Sequence, residues 1–284
     1  MIILITGGRG MLGRTLKKIL TNYEIIIADL PEADITNQTA FENFVKSNIP
    51  DCVIHCAAMT QVDNCESQQE LAYKLNVIGS ANVAAICHKY NIRLLAISTD
   101  YVFNGSLDRP YNELDIPDGG KTIYGQTKFQ GEEEIRKLCP NHLILRISWL
   151  YGFGGPSFVH TMLSLAKAGK DNLKVVNDQI GNPTSAIAVA KHIGILLTYP
   201  EIKGTMHLTC EGEATWYTFA KEIFKLANLN INVIPCAPNE YPRPAPRPAH
   251  RRLEKMQLKL NNLPSMPHWQ DAIKEFFTLE FNNQ

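Results

Sequence analysis

Short, almost wholly apolar runs alternate along this chain with longer stretches in which apolar residues recur every three or four positions. Residues 1–6 (MIILIT) predict a buried strand running into glycines, and residues 11–20 have helical spacing at Leu12, Leu16, Ile19 and Leu20. The same alternation predicts strands over 24–29 (EIIIAD), 51–57 (DCVIHCA), 93–98 (RLLAIS) and 142–148 (HLILRIS). Helices are expected between them over 40–48, 70–90 and about 128–138. Strands without a polar face must be covered on both sides, so the first half predicts a doubly wound parallel α/β sheet of the Rossmann type.

The second half is less regular. Helices are expected over 157–168, 185–197, 216–227 and 269–277, and strands over 173–177, 205–209 and 231–236. Residues 235–252 (PCAPNEYPRPAPRPAHRR) exclude helix, because each proline removes a donor and clashes with the preceding turn. That segment is expected to be either a surface connector or a substrate-facing loop. The pattern divides the chain into a first unit over 1–152, with 182–210 returning to it, and a smaller, discontinuous α/β unit over 153–181 and 211–284.

Composition narrows the partners. Across 284 residues, 45% are hydrophobic and 28 basic residues balance 28 acidic ones, so nothing favours nucleic acid or an anionic membrane. The 7 cysteines are odd in number and lack a CxxC pair, which argues against a disulfide framework or a zinc site and for buried thiols. No apolar run approaches a membrane span and no cleavable leader pattern opens the chain, so a cytoplasmic protein is expected. No spacing supports a metal site, His250 included; magnesium is left open without support, as is a homodimer.

Chemistry concentrates in two places. Gly7, Gly10 and Gly13 sit where the first strand meets the first helix, giving a tight turn, close backbone approach to a phosphate and close helix packing. The free amides that open the helix, at Met11 and Leu12, then face a pyrophosphate. Asp29 ends the second strand, where an acidic side chain suits the ribose hydroxyls of NAD, whereas Arg9 inside the glycine loop suits the extra phosphate of NADP. Both cofactors stay open; Asp34 and Ile35, just beyond, join the cofactor-binding candidates. The second place is YGQTK, where Tyr124 and Lys128 lie four residues apart and so share one helix face. A phenol beside an ammonium can hand a proton to a developing alkoxide. Bringing a phenol from about 10 toward 7 takes about 4 kcal/mol of extra phenolate stabilisation.

The glycine loop, Ala57-Ala58 after the third strand, Asn76, Ser98-Thr99 and Tyr124/Lys128 together resemble the extended short-chain dehydrogenase/reductase family. More narrowly, CAAMTQVDNCES, STDYVFNG, YGQTKFQGE, RISWLYG, NDQIGNPT and YPRPAPRP resemble the dTDP-4-dehydrorhamnose reductases within it. The resemblance implies NADH- or NADPH-dependent reduction of a nucleotide-sugar ketone, so the first unit becomes the dinucleotide-binding domain and the second the substrate domain. It implies Thr99, Tyr124 and Lys128 as catalytic residues, with Thr99 donating to the ketone oxygen and Lys128 also holding the nicotinamide ribose. Ala57, Ala58 and Met59 would line the nicotinamide. Asp100 and Trp149 would meet the sugar, and Arg247, with Arg243, the pyrophosphate. Related 4,6-dehydratases carry Thr-Asp-Glu where this chain has Thr99-Asp100-Tyr101, which favours simple reduction. The chain departs from the family after Arg247-Pro248, where Ala249-His-Arg-Arg252 replaces a serine-containing turn. An epimerase or a reductase acting on another nucleotide sugar remains an alternative, as does an NADP-binding regulatory subunit without chemistry of its own.

Overall fold

The computed structural model describes residues 1–240 and 242–281; residue 241, in the proline-rich run, and residues 282–284 lie outside the described residues. The strands are β1 (Ile2–Thr6), β2 (Glu24–Ala28), β3 (Cys52–His55), β4 (Arg93–Thr99), β5 (His142–Ile147), β6 (Leu150–Tyr151), β7 (Asn172–Val176), β8 (Ile180–Gly181), β9 (Thr184–Ser185), β10 (Gly204–His207), β11 (Ala214–Thr215) and β12 (Asn232–Cys236). Six of them form one parallel sheet in the order β10-β5-β4-β3-β1-β2. Successive strand residues point to opposite faces, which divides the core in two. Ile3, Ile5, Ile54, Leu95 and Leu145 join the cluster that contains Leu12 and Leu16 of α1 (Met11–Ile19). Leu4, Val53, Leu94 and Ile144 join the opposite cluster with Phe41 of α2 (Gln38–Asn48). This is a Rossmann-like α/β fold, covered on both faces as the unbroken apolar strands require.

After β5 the chain leaves the sheet and comes back. β10 pairs with β5 in parallel, Gly204 opposite Leu143 through His207 opposite Arg146. Away from the sheet, β7 pairs with β12 in parallel, β8 with β11 antiparallel, and β6 with β9 in parallel.

Two helical expectations change. Past α3 (Val62–Ser67), the stretch foreseen as one helix over 70–90 consists of α4 (Gln69–Tyr73), a π-helical turn at Lys74–Ile78 and α5 (Gly79–Lys89). The wide turn carries the fully buried Asn76. A π-bulge inside a helix commonly marks a side chain placed for function.

The helix expected from about 128 is α6 (Ile123–Leu138), which begins earlier because Thr122 caps it, accepting from the Gly125 amide at 3.0 Å. Gly125 weakens the local helix signal, yet the site requires it: a Cβ there would run into the Tyr101 carbonyl.

On α6 the four-residue spacing aligns Tyr124, Lys128 and Glu132, all buried, along one face. Glu132 anchors that face. Its Oε2 is 2.7 Å from Arg146 Nη2 on β5, its Oε1 accepts from Arg146 Nε at 2.9 Å, and Ser98 Oγ on β4 donates to Oε1 at 2.5 Å. Burial alone raises the Glu132 carboxyl, but Arg146, Arg136 and Ser98 outweigh it and hold it at about 2. Glu132→Gln leaves Arg146, 1% exposed, without its counter-charge. We expect a loss of about 3–5 kcal/mol near neutral pH, read as a lower urea midpoint. Because the folded carboxyl titrates below its ordinary 4.5, its contribution is complete above that value and fades as pH falls toward about 2. The gap between wild type and Glu132→Gln should therefore narrow on acidification.

Candidate active site

The glycine loop lies directly against the segment after β3. Gly7 has φ +67°, and a Cβ there would come within 2.6 Å of the Ala57 amide nitrogen, so the loop cannot rise off that backbone. Gly10 caps α1 with its own amide bonded to the Gly7 carbonyl at 3.0 Å, and a Cβ on Gly13 would strike Gly8. No acidic side chain lies in the first turn of α1, so its amides present an uncompensated positive end suited to a pyrophosphate. Those of Met11 and Leu12 belong to this end; the Met11 side chain packs beside Gly152 and Gly155, and Leu12 is buried in the core.

Asp29 and Arg9 meet at the end of β2. The Arg9 amide donates to Asp29 Oδ2 at 2.7 Å, while its guanidinium, 61% exposed, donates to the Leu30 carbonyl at 2.6 Å and pairs with Glu32 at 3.4 Å. Asp34 is turned to its own loop, accepting from the Thr36 amide and hydroxyl at 2.8 Å each. Ile35 is buried against Gly79.

Below the loop a polar chain runs through the core. Thr6 Oγ1 lies 2.7 Å from His55 Nδ1, whose Nε2 lies 3.1 Å from Ser80 Oγ, and Ser80 donates to the Asn76 carbonyl at 2.7 Å. Burial, and then the nearby Lys128, push His55 down to about 3, so it stays neutral. Asn76 binds backbone: it accepts from the Met59 amide at 2.8 Å and donates back to the Met59 carbonyl and to Thr127. It thereby fixes the Ala57-Ala58-Met59 segment beside the glycine loop.

Thr99, at the end of β4, and Tyr124 and Lys128, on α6, converge. The Thr99 side chain lies beside the Tyr124 phenol, where it favours the phenolate, and Lys128 Nζ donates to the Ile97 carbonyl at 2.8 Å. Burial raises the phenol of Tyr124 above its usual value, with Thr99 working in the opposite sense, so the group is protonated at neutral pH. Burial lowers Lys128 to about 8, while the Glu132 carboxylate one turn on pulls it back up. The Thr99 hydroxyl, expected to serve the ketone oxygen, donates to Asp100 Oδ1 at 3.0 Å.

Trp149 sits on a strained backbone at φ +45° and stacks on Trp216, ring centroids 3.5 Å apart and nearly parallel. Gly181 lies under its indole, where a Cβ would come within 2.6 Å. Arg247 donates to Asp63 Oδ1 at 2.9 Å and to the Ala245 carbonyl, and Arg243 lies 3.8 Å from the same carboxylate. Among the described residues no three metal-ligating side chains cluster, and no helix is long and apolar enough to cross a membrane.

Sequence reasoning missed Trp216, Asp63, Glu132 and, most of all, Arg251. Arg251 is 1% exposed and lies 3.1 Å from Asp100, though it comes from a stretch whose composition suggests surface. The one signal was the break from the family pattern at 249–252.

The family model described as the RmlD substrate binding domain matches residues 1–281. A spore coat polysaccharide biosynthesis protein, SpsK, of Bacillus subtilis is 37% identical, covering 96% of each chain. The crystal structure of a dTDP-4-dehydrorhamnose reductase from Clostridium acetobutylicum is 42% identical with a TM-score of 0.94, covering 98% of this chain and 99% of that one. A dTDP-4-dehydrorhamnose reductase from Bacillus anthracis, solved in complex with NADP, is 38% identical with a TM-score of 0.95, at the same coverage. With a match over nearly its whole length, the glycine loop and the buried tyrosine included, the chain belongs to the RmlD substrate binding domain family.

Proposed function

We propose that this NAD(P)H-dependent oxidoreductase reduces the C4 ketone of dTDP-4-dehydro-6-deoxy-L-mannose to dTDP-L-rhamnose, with Tyr124 as proton donor. The observation that carries the reading is the buried meeting of Thr99 with Tyr124, on the α6 face that also bears Lys128, at the end of β4. The reductases of known structure with nearly the same fold support it, one of them holding NADP. The glycine loop and the open N-terminus of α1 suit the cofactor's pyrophosphate. The nicotinamide, when bound, supplies hydride to C4.

The chain's own residues do the rest. As C4 takes the hydride pair, its oxygen gains charge and needs a proton. Tyr124, protonated by virtue of burial, gives it; the O–H bond of the phenol breaks and that of the alcohol forms. Thr99 holds the phenol in place, and the Lys128 ammonium stabilises the tyrosinate left behind. Tyr101 occupies the position of the second acid of the related dehydratases, so no carboxylate follows Asp100 to drive elimination. Trp149 and Asp100 face the sugar in this reading, and Arg247 holds the pyrophosphate.

Stoichiometric NADPH or NADH consumption with the dTDP keto sugar, and little with UDP or GDP analogues, is the expected result; a retained cofactor with no net consumption would indicate epimerisation instead. Tyr124→Phe should lower kcat by about 10²-fold or more with cofactor binding retained. Activity should fall as pH rises past about 8, where Lys128 loses its proton, and a flat kcat/KM profile to higher pH would remove Lys128 from the mechanism. Arg9, at the end of β2, suits the 2′-phosphate of NADPH, so Arg9→Ala should raise KM for NADPH by about tenfold and leave NADH little changed.

A further inference from the structure

The proline-rich run is fastened to the first helix after β3 through one carboxylate. Prolines at 242, 244, 246 and 248 exclude helix and leave backbone N–H donors over that span only at Arg243, Ala245 and Arg247. The Ala245 amide donates to Asp63 Oδ1 at 3.2 Å, and Ala245 is 1% exposed. Arg247 straddles the same point, with Nη2 donating to Asp63 Oδ1 at 2.9 Å and Nη1 to the Ala245 carbonyl at 2.9 Å. Arg243 Nη1 lies 3.8 Å from Asp63 Oδ2.

Asp63 stands in the first turn of α3, and α3 is joined to the rest of the site at two further points. Cys65 Sγ donates to the Met59 carbonyl at 3.7 Å, in the segment expected to line the nicotinamide, and Glu66 Oε1 accepts from the Ile123 amide at 2.9 Å, one residue before Tyr124. One short helix therefore links the 242–248 strap to the Met59 segment and to the start of α6. The planar fork of Arg247, with one nitrogen on Asp63 and the other on Ala245, is set in orientation as well as in place. Those two bonds use two of the five N–H donors that a guanidinium carries, and the side chain, 20% exposed, keeps part of its surface within reach of an anion.

We propose that Asp63 is a positioning residue: it ties down the strap at Ala245 and holds Arg247, with Arg243 beside it, in place to receive the diphosphate of the nucleotide sugar. The inference rests on the reading of Arg247 as the residue that binds this diphosphate. A carboxylate next to an anion site acts in two opposed ways. Its charge repels the ligand, while its hydrogen bonds order the strap and the guanidinium before the ligand arrives, so that binding does not bear that cost. Asp63 is 28% exposed, and solvent and salt weaken the repulsion at such a site. The ordering is not screened, and it decides the sign.

The test compares Asp63→Ala, Asp63→Asn and Arg247→Ala with wild type. Hydrogen exchange is followed over residues 242–248, where the prolines leave so few amides that Ala245 can be read directly. The affinity for dTDP and the kcat and KM with NADPH and the dTDP keto sugar are measured alongside, an unchanged Kd for NADPH showing that each variant is folded. Asp63→Ala should speed exchange at Ala245 on the order of tenfold. It should weaken dTDP binding about tenfold and raise KM for the keto sugar by about as much, with a smaller effect on kcat. Asp63→Asn, whose amide oxygen still accepts from Ala245 and Arg247, should exchange as wild type does and recover most of the dTDP affinity. Unchanged exchange at Ala245 in Asp63→Ala would overturn the tether. Faster exchange with dTDP bound as tightly as by wild type, or more tightly, would overturn the positioning role and leave Asp63 as an opponent of the ligand. An unchanged dTDP affinity in Arg247→Ala would instead sink the diphosphate reading of Arg247, and the exchange rate would still decide whether Asp63 ties down the strap.

Discussion

The ion pair between Glu132 and Arg146 is the constraint on which the rest of the site depends. A helix lying on a sheet can rotate or slide with little loss of apolar contact, because dispersion is not directional. A bidentate carboxylate–guanidinium bond tolerates neither movement. Since Glu132 also receives Ser98, the residue before Thr99, one side chain ties α6 to β4 and β5 together. Two turns up the same helix face, Tyr124 is thereby delivered to Thr99. The same carboxylate favours the charged form of Lys128 against the burial that opposes it.

The polar chain beneath the glycine loop works because each of its members is committed to a partner. His55, neutral, links Thr6 to Ser80; Ser80 links to Asn76; and Asn76 holds Met59 and Thr127. Such chains fix backbone that apolar packing alone would leave loose. Here they connect the glycine loop, the segment after β3 and α6, so the nucleotide side and the proton-transfer side share one scaffold.

Much of this was legible in the sequence. Runs such as MIILIT and HLILRIS have no polar face, and that forces a sheet covered on both sides whatever the details. The glycine loop and the Tyr124/Lys128 spacing were legible because each rests on local geometry. What escaped was tertiary. Gly125 hides the first turn of α6, since its presence answers the Tyr101 carbonyl rather than helix propensity. The π-helical turn around Asn76 leaves no mark on an apolar period. Arg251 sits among prolines and cations that read as surface, and its burial is created by Asp100 and Tyr101, some 150 positions away along the chain.

The return of the chain to the sheet has a consequence for any attempt to take the protein apart. β5, buried along its length, has β4 on one side and β10 on the other. A fragment cut after β6 would lose β10 and present the backbone of HLILRI as a naked, oily margin able to recruit a second copy by strand addition. Shuffling this protein's two halves with those of a homologue therefore calls for exchange points on both sides of residues 204–207, so that the borrowed piece leaves that margin sealed.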